Sequence, residues 1–230
     1  MANFVVYGSP LSPFVRKVEA VLTSKGAAYD FENVNIMDMP DWFVEISPAR
    51  RIPVLRDRDV GTEGVPGTIA DSSAICLYLD RKLDTGLYGE TAFEAGRVAW
   101  FEEYADTELA MNIGMHMFRP LVFPLFTGVE PDLDTARKAF NEALPPRFDY
   151  LESALQESPY FVGDRFSLAD IAVGALMSQL GMVAELPSKE RWPALIKHCE
   201  MIKAHPAFTE NLATCEKMLG RFLPKKFDLS

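Results

Sequence analysis

The sequence predicts a small α/β domain followed by a larger, all-helical one. Three observations carry that prediction. The first eighty or so residues alternate short apolar runs of strand length with segments of helical spacing. The turn-forming stretch Asp84-Thr85-Gly86-Leu87-Tyr88-Gly89 then punctuates the chain. Beyond it, the long apolar patterns all have a helical period. The expected boundaries are residues 1–82 for the α/β domain, 83–93 for a linker and 94–230 for the helical domain.

Phe4-Val5-Val6-Tyr7 reads as a buried strand. After Gly8 come two Ser-Pro steps, then residues 15–25, where Val15, Val18, Val21 and Leu22 fall at helical spacing. Proline suits the first turn of a helix, where its missing N–H would have been unpaired anyway. Ser12 is therefore placed at the N-cap and Pro13 at the first helical position. Such a junction delivers a hydroxyl to the positive end of a helix, where free N–H groups and aligned dipoles favour an anion. Taken alone, the same residues are an ordinary cap.

Residues 28–35 alternate as a second strand, and 38–46 form a short, helical connection in which Trp42 is a packing residue. Pro53, just before Val54-Leu55, fits the start of a third strand and is a candidate for a cis peptide. Residues 56–67 are rich in charge and glycine and read as an exposed hairpin loop. Thr68-Ile69-Ala70 is a fourth strand, and Asp71 or Ser72 caps a helix running to about Leu83. In the second half, helices are expected over 90–118, 134–156, 167–184, 188–204 and 207–220. Pro120 and Pro124 should interrupt after the first of these, and Pro145-Pro146 should kink or break the second, because proline costs about 3 kcal/mol in a helix interior. Ser167-Leu168-Ala169-Asp170 is a capping-box-like helix start, with Phe166 and Ile171 as its hydrophobic staple.

The 230 residues carry a net charge of −10, from 33 acidic and 23 basic side chains. That balance argues against general nucleic-acid binding, which needs a basic face, and against attachment to anionic membranes. No apolar run reaches membrane-span length, and Met1-Ala2-Asn3 lacks the features of a signal peptide. Cys76, Cys199 and Cys215 are few and widely spaced, which suggests neither a disulfide framework nor a zinc site. His116, His198 and His205 show no ligand spacing. A cytoplasmic protein without a metal is expected.

Ser12-Pro13-Phe14 at the first junction, Arg51-Ile52-Pro53-Val54-Leu55 before the third strand, and Asp71-Ser72-Ser73-Ala74-Ile75 at the last junction form a set. In this order and spacing, followed by an all-helical half, they resemble the cytosolic glutathione S-transferases. The segment from Phe161 through Asp170 is similar to that family's capping segment, and Ser-Pro-Phe is closest to the serine-type, plant tau-like pattern. The resemblance covers essentially the whole chain. It implies a thioredoxin-like N-terminal domain that binds glutathione as co-substrate and a helical domain that supplies most of a second, apolar pocket.

On that resemblance, Ser12 stands where glutaredoxin-like relatives carry the first cysteine of a C-P-x-C motif, and Val15 where they carry the second. No dithiol exists, so disulfide exchange by that route is excluded. Ser12 would donate a hydrogen bond to the glutathione sulfur, with Ser9 as the competing hydroxyl. A free thiol with a pKa near 8.5 is only about 3% ionised at pH 7, and lowering that pKa by about two units makes roughly three quarters of it thiolate. The backbone of Ile52, before a cis-Pro53, would pair with the cysteinyl part. Asp71 and Ser72 would hold the γ-glutamyl end, and Arg51 the glycine carboxylate. Many relatives carry a cation near residues 37–41; here the stretch is Met37-Asp38-Met39-Pro40-Asp41. Tyr104, Met111, Met115 and Phe118 are candidates for the second-substrate pocket, or core at helical spacing.

The function expected is a dimeric, detoxifying glutathione transferase in which the thiolate attacks a small hydrophobic electrophile. The alternatives are a non-catalytic, transferase-like interaction module, or a glutathione-dependent isomerase, peroxidase or ether-cleaving enzyme on the same scaffold.

Overall fold

The computed structural model describes residues 2–155 and 158–229. The chain divides into two compact units. The first comprises Met1–Leu87 with Pro206–Asn211, and the second Tyr88–His205 with Leu212–Ser230.

In the first unit the order is β1 (Phe4–Gly8), α1 (Pro13–Ser24), β2 (Tyr29–Asn33), α2 (Asp41–Ile46), β3 (Val54–Asp57), β4 (Thr68–Ala70) and α3 (Ser72–Leu83). The sheet runs β2-β1-β3-β4, with β1 parallel to β2 and antiparallel to β3, and β3 antiparallel to β4. Side chains alternate across a strand. Val5, Tyr7 and Val54 accordingly share one core with Val34, Phe43 and Ile46, and Met39 and Ile52 pack against it. Val15, Val18, Val21 and Leu22 of α1 are all buried, and α1 packs on α3. Each such side chain contributes about 1.5–3 kcal/mol. A cap contributes about 1 kcal/mol, so packing rather than capping holds α1 in place.

The loop expected at 56–67 begins later than predicted. Arg56 and Asp57 belong to β3 and are 5% and 2% exposed. The Arg56 guanidinium donates to the carbonyls of Gly61, Gly64 and Pro66 at 3.3, 2.7 and 2.9 Å, and its Nε to the Tyr7 hydroxyl at 3.2 Å. A buried cation thus satisfies carbonyls that the turn leaves without backbone partners. Asp57 accepts from the Tyr78 hydroxyl and pairs with Lys82 at 3.2 Å.

The second unit holds α4 (Ala92–Tyr104), a π-helical stretch over Ala105–Phe118, α5 (Arg119–Thr127), α6 (Leu133–Lys138), a short π-helical turn over Ala139–Ala143, α7 (Leu144–Leu155), α8 (Leu168–Val183) and α9 (Pro193–Ala204). The last helix, α10 (Pro206–Leu219), begins in the first unit and ends in the second. None of the described helices is long and apolar enough to cross a membrane.

Pro120 and Pro124 do not interrupt the helix as the sequence predicts. Pro120 lies in the first turn of α5, and Pro124 lies inside it. The carbonyl of Pro120, four residues before Pro124 and left without its usual donor, accepts the Asp132 N–H at 3.1 Å. Pro145 and Pro146 are accommodated differently: the hydrogen-bond register changes in the π-helical turn just before them, and the backbone stays helical. The helix expected from Ser188 starts at Pro193. Glu152 accepts the Ala194 and Leu195 N–H groups at 3.0 and 2.8 Å and caps it from α7. The predicted helix end at Gln156 lies outside the described residues.

The helix α8 is buried on nearly every side and packs against α4, the long π-helical stretch and α9. The expected capping box at its start is present. Asp170 is fully buried. It accepts the Ser167 N–H and hydroxyl, both at 2.9 Å, and the Phe161 N–H at 3.0 Å, and lies 3.1 Å from His198 Nε2.

Candidate functional site

The strand register gathers four chain segments at one edge of the first unit's sheet. Tyr7 is opposite Val54, and Val54 is opposite Ala70. The exit of β1, the entry of β3 and the exit of β4 therefore adjoin, and the parallel β2 ends beside them, with Asn33 opposite Gly8. These junctions carry Ser12, Pro53 and Asp71. The approach is close at Gly8: a Cβ there would lie 2.5 Å from a Val15 methyl, so only glycine lets α1 start so near β1.

Ser12 is the N-cap of α1, and Pro13 follows in the first turn. Its N–H bonds the Ser9 carbonyl at 3.0 Å, which closes the turn out of β1. The Ser12 Oγ accepts from the Val15 N–H at a long 3.4 Å. Among the described residues its hydroxyl proton has no acceptor, so the group is poised to donate. Ser9 lies three residues earlier, in the turn rather than at the helix start.

The Ile52–Pro53 peptide is cis. Pro53 is buried, Ile52 half-buried and Arg51 exposed. Sequence reasoning passed over Ser47, which is fully buried. Its Oγ donates to the Arg51 carbonyl at 2.8 Å and accepts the Arg51 N–H at 3.2 Å, fixing the approach to Pro53. The only available signal was a Ser-Pro step of the kind that also marks Ser12.

Of the two candidate caps on α3, Asp71 is the cap, accepting the Ser73 and Ala74 N–H groups at 2.9 and 3.3 Å. Ser72 is the first helical residue and is buried. The Asp71 backbone sits at φ 83°, where a side chain is strained. Such conformations cost of order 1–3 kcal/mol and cluster at functional sites.

Two further polar side chains were not anticipated. Arg16 and Lys17 are among the largest fully buried side chains of the chain. Arg16 donates to Asn211 Oδ1 at 2.6 Å and to the Pro10 carbonyl at 3.4 Å; Lys17 donates to the Ser73 hydroxyl at 3.3 Å. One cation thus braces the turn before Ser12, and the other tethers α1 to the start of α3. Glu19 lies on the same helix, accepting from the Tyr29 hydroxyl and Asn211 at 2.9 and 2.6 Å; burial raises its pKa above the ordinary carboxylate value, against the pull of those bonds and of Arg16.

In the stretch from Met37 to Asp41, Met39 is partly buried and packs against the core of the first unit, and Met37 is exposed. In the second unit, Tyr104 is half-buried between Trp100 and Tyr150, with ring centroids 6.1 and 4.8 Å away, and burial pushes its hydroxyl up to about 12. Met111 and Met115 are about half exposed, whereas Phe118 is 3% exposed and belongs to the core. The three cysteines are buried. Burial pushes the Cys199 thiol up to about 12, so it stays protonated at neutral pH. Among the described residues no group of three or more His, Cys, Asp or Glu could hold a metal ion.

A four-stranded mixed sheet flanked by helices, with a cis-proline before β3, an anion-favouring helix start after β1 and an all-helical second unit, defines a thioredoxin-like domain joined to a helical one. The chain belongs to the glutathione S-transferase family: residues 6–85 match the family's N-terminal domain and residues 117–214 its C-terminal domain. Maize glutathione S-transferase 3 is 32% identical over 228 residues, covering 93% of this chain and 95% of that protein. FtsZ-localized protein A of Caulobacter vibrioides is 27% identical, covering 89% and 88%. The crystal structure of a glutathione S-transferase from Rhodospirillum rubrum shares the fold at a TM-score of 0.80 and 23% identity, covering 90% and 91% of the two chains.

Proposed function

We propose that this protein is a serine-type glutathione transferase. The observation that carries the reading is the Ser12 hydroxyl at the N-cap of α1, with no acceptor of its own among the described residues. Glutathione is the co-substrate. Ser12 donates to its sulfur, and the start of α1 favours the thiolate over the thiol. The Ile52 backbone before Pro53 pairs with the cysteinyl part, Asp71 and Ser72 hold the γ-glutamyl end, and Arg51 meets the glycine carboxylate. The thiolate then attacks a small apolar electrophile: the C–S bond forms, the leaving group departs with its electron pair, and the thiol proton goes to solvent. Ser12 is a hydrogen-bond donor in this scheme, not a nucleophile, because no base stands beside it among the described residues.

Residues 1–82 bind glutathione, 83–93 link, and 94–230 supply the second-substrate pocket, with Tyr104, Met111 and Met115 as its more accessible candidates. Phe118 fits the supporting core better. The Ser-Pro-Phe order supports the tau-like label. A cytoplasmic homodimer with a detoxifying role is part of the same reading.

A second reading is a transferase-like interaction module without turnover. It draws on the relative named for its localisation to FtsZ, and on Met39 packing where a cation would grip glutathione. An isomerase, peroxidase or ether-cleaving activity would use the same thiolate and is separated by its products.

The deciding experiment is a glutathione titration of wild type and Ser12→Ala, followed by thiolate difference absorbance and thermal shift. Binding by both proteins, with thiolate at neutral pH only in wild type, supports the transferase. Binding by neither turns the reading to the interaction module.

A further inference from the structure

We propose that Arg16 is a positioning residue for the thiolate: its buried charge, held against the turn before Ser12, favours the anionic sulfur to which Ser12 donates. The inference rests on the transferase reading and adds to it a residue outside the motifs that carry that reading.

Side chains on a helix lean toward its N-terminus. From the fourth position of α1, Arg16 reaches back past Ser12, and its Nη2 donates to the Pro10 carbonyl at 3.4 Å. Asn211 of α10 donates to the same carbonyl at 3.2 Å and accepts from Arg16 Nε at 2.6 Å. Pro10 lies inside the turn that the Ser12 N–H closes on the Ser9 carbonyl. The guanidinium and the Ser12 hydroxyl are therefore held at the same end of the helix.

The folding of α1 does not ask for a cation there. A positive charge near a helix N-terminus opposes the helix dipole, and a buried charge is costly even when it is hydrogen-bonded. The first turn of α1 carries no acidic residue to offset either penalty. The buried charges of the helix are Arg16, Lys17 and Glu19, one positive in excess, in a chain whose net charge is −10. An anion bound at the start of α1 turns both penalties into attraction.

Glu19 moderates that charge. Asn211, which accepts from Arg16, donates to Glu19 Oε2 at 2.6 Å, and Tyr29 of β2 donates to Oε1 at 2.9 Å. Burial raises the Glu19 pKa, so its charge is less secure than that of the guanidinium. The other ionisable groups on the surrounding elements are engaged, exposed or neutral. Lys17 donates to Ser73 on α3, Asp80 on α3 accepts the Leu87 N–H, and Cys76 on α3 is a buried thiol. The Tyr7 hydroxyl on β1 accepts from Arg56, and Glu210 on α10 is exposed.

The test is the ionisation of bound glutathione. Thiolate difference absorbance is titrated from pH 5 to 9 at saturating glutathione, without an electrophile, in wild type, Arg16→Gln and Glu19→Gln. Removing the cation should raise the apparent pKa of the bound thiol and leave roughly 5-fold less thiolate at pH 6; removing the carboxylate should lower that pKa and give about 2-fold more. Disturbed packing between α1 and α10 would move both variants the same way, so shifts of one sign overturn the proposal. An unchanged pKa in folded Arg16→Gln overturns it too. If Arg16→Gln does not fold, Glu19→Gln decides alone, and a pKa unchanged or raised in that variant overturns the proposal. A wild type that binds glutathione only as the thiol, or not at all, overturns the transferase reading and this inference with it; wild-type thiolate that persists unaltered in both variants overturns this inference only.

Discussion

At the scale of single residues, the site rests on short polar side chains at helix starts, and their two possible duties can be separated. For Ser12 the capping duty is weak, since its bond to Val15 is long. Ser12→Ala is expected to cost no more than about 1 kcal/mol of stability. Loss of a donor to a charged sulfur costs about 1.5–3 kcal/mol, so conjugation should fall roughly 10- to 100-fold near pH 6.5. The difference should narrow above pH 8.5, where a thiol ionises without help. A flat activity ratio from pH 6 to 9 would remove Ser12 from the chemistry. Asp71 permits a sharper separation, because its cap and its backbone strain act in opposite directions. Asp71→Ala keeps the strain and loses the cap, so urea unfolding should show a loss of about 1 kcal/mol. Asp71→Gly relieves the strain and should leave stability nearly unchanged. Both variants should bind glutathione more weakly. If either binds it as wild type does, the carboxylate serves the fold alone.

Single elements show how much of the architecture was legible in the sequence. Local signals were legible: the caps at Ser12, Asp71 and Ser167 are each set by residues within four positions of one another. What depended on distant partners was not. Proline at position 124 reads as a breaker because the sequence does not show that Asp132 will supply a hydrogen bond to the Pro120 carbonyl. Arg16 and Lys17 fall on the polar side of the α1 pattern, yet Asn211 and Ser73 cover them from α10 and α3. The π-helical stretch reads as ordinary helix in the sequence, since its apolar residues recur every three to five positions in either form. For α8, the legible cap is also the structural weak point. Asp170 takes three hydrogen bonds from two segments and faces His198 with no exposure to water. Asp170→Ala leaves those donors buried and unpaired, at about 1–3 kcal/mol for each. A loss of at least ~3 kcal/mol in urea unfolding is expected; a loss under ~1 kcal/mol would mean water replaces the carboxylate.

Over the whole molecule, the same accounting applied to protons predicts how stability responds to acid. Several carboxylates titrate below their ordinary values in the folded chain. For Asp57, burial works to raise the pKa, but the Tyr78 hydroxyl, the Asp59 N–H and Lys82 together hold it low. A backbone N–H and the Thr135 hydroxyl lower Asp132, and Trp192 and Arg191 lower Asp149. A carboxylate whose folded pKa is depressed contributes stability above its unfolded value, near 4, and loses it as pH falls through the folded one. Glu19 runs the other way. Its folded pKa is raised, so the charged form opposes folding at neutral pH, and acidification toward its unfolded value relieves that opposition. The chain should therefore change little in stability from pH 7 to about 5, where Glu19 can offset early losses elsewhere. Below about pH 4 stability should drop steeply, as the depressed carboxylates protonate and 23 basic residues are left facing one another. Urea midpoints at several pH values test this, and Asp57→Asn identifies one contributor. The variant should be less stable than wild type at pH 7, and the gap should shrink as pH falls below 4, because the wild-type carboxylate is then protonated too. A gap that stays constant down to pH 3 would show that Asp57 acts through its shape and neutral hydrogen bonds, and that the acid response arises elsewhere.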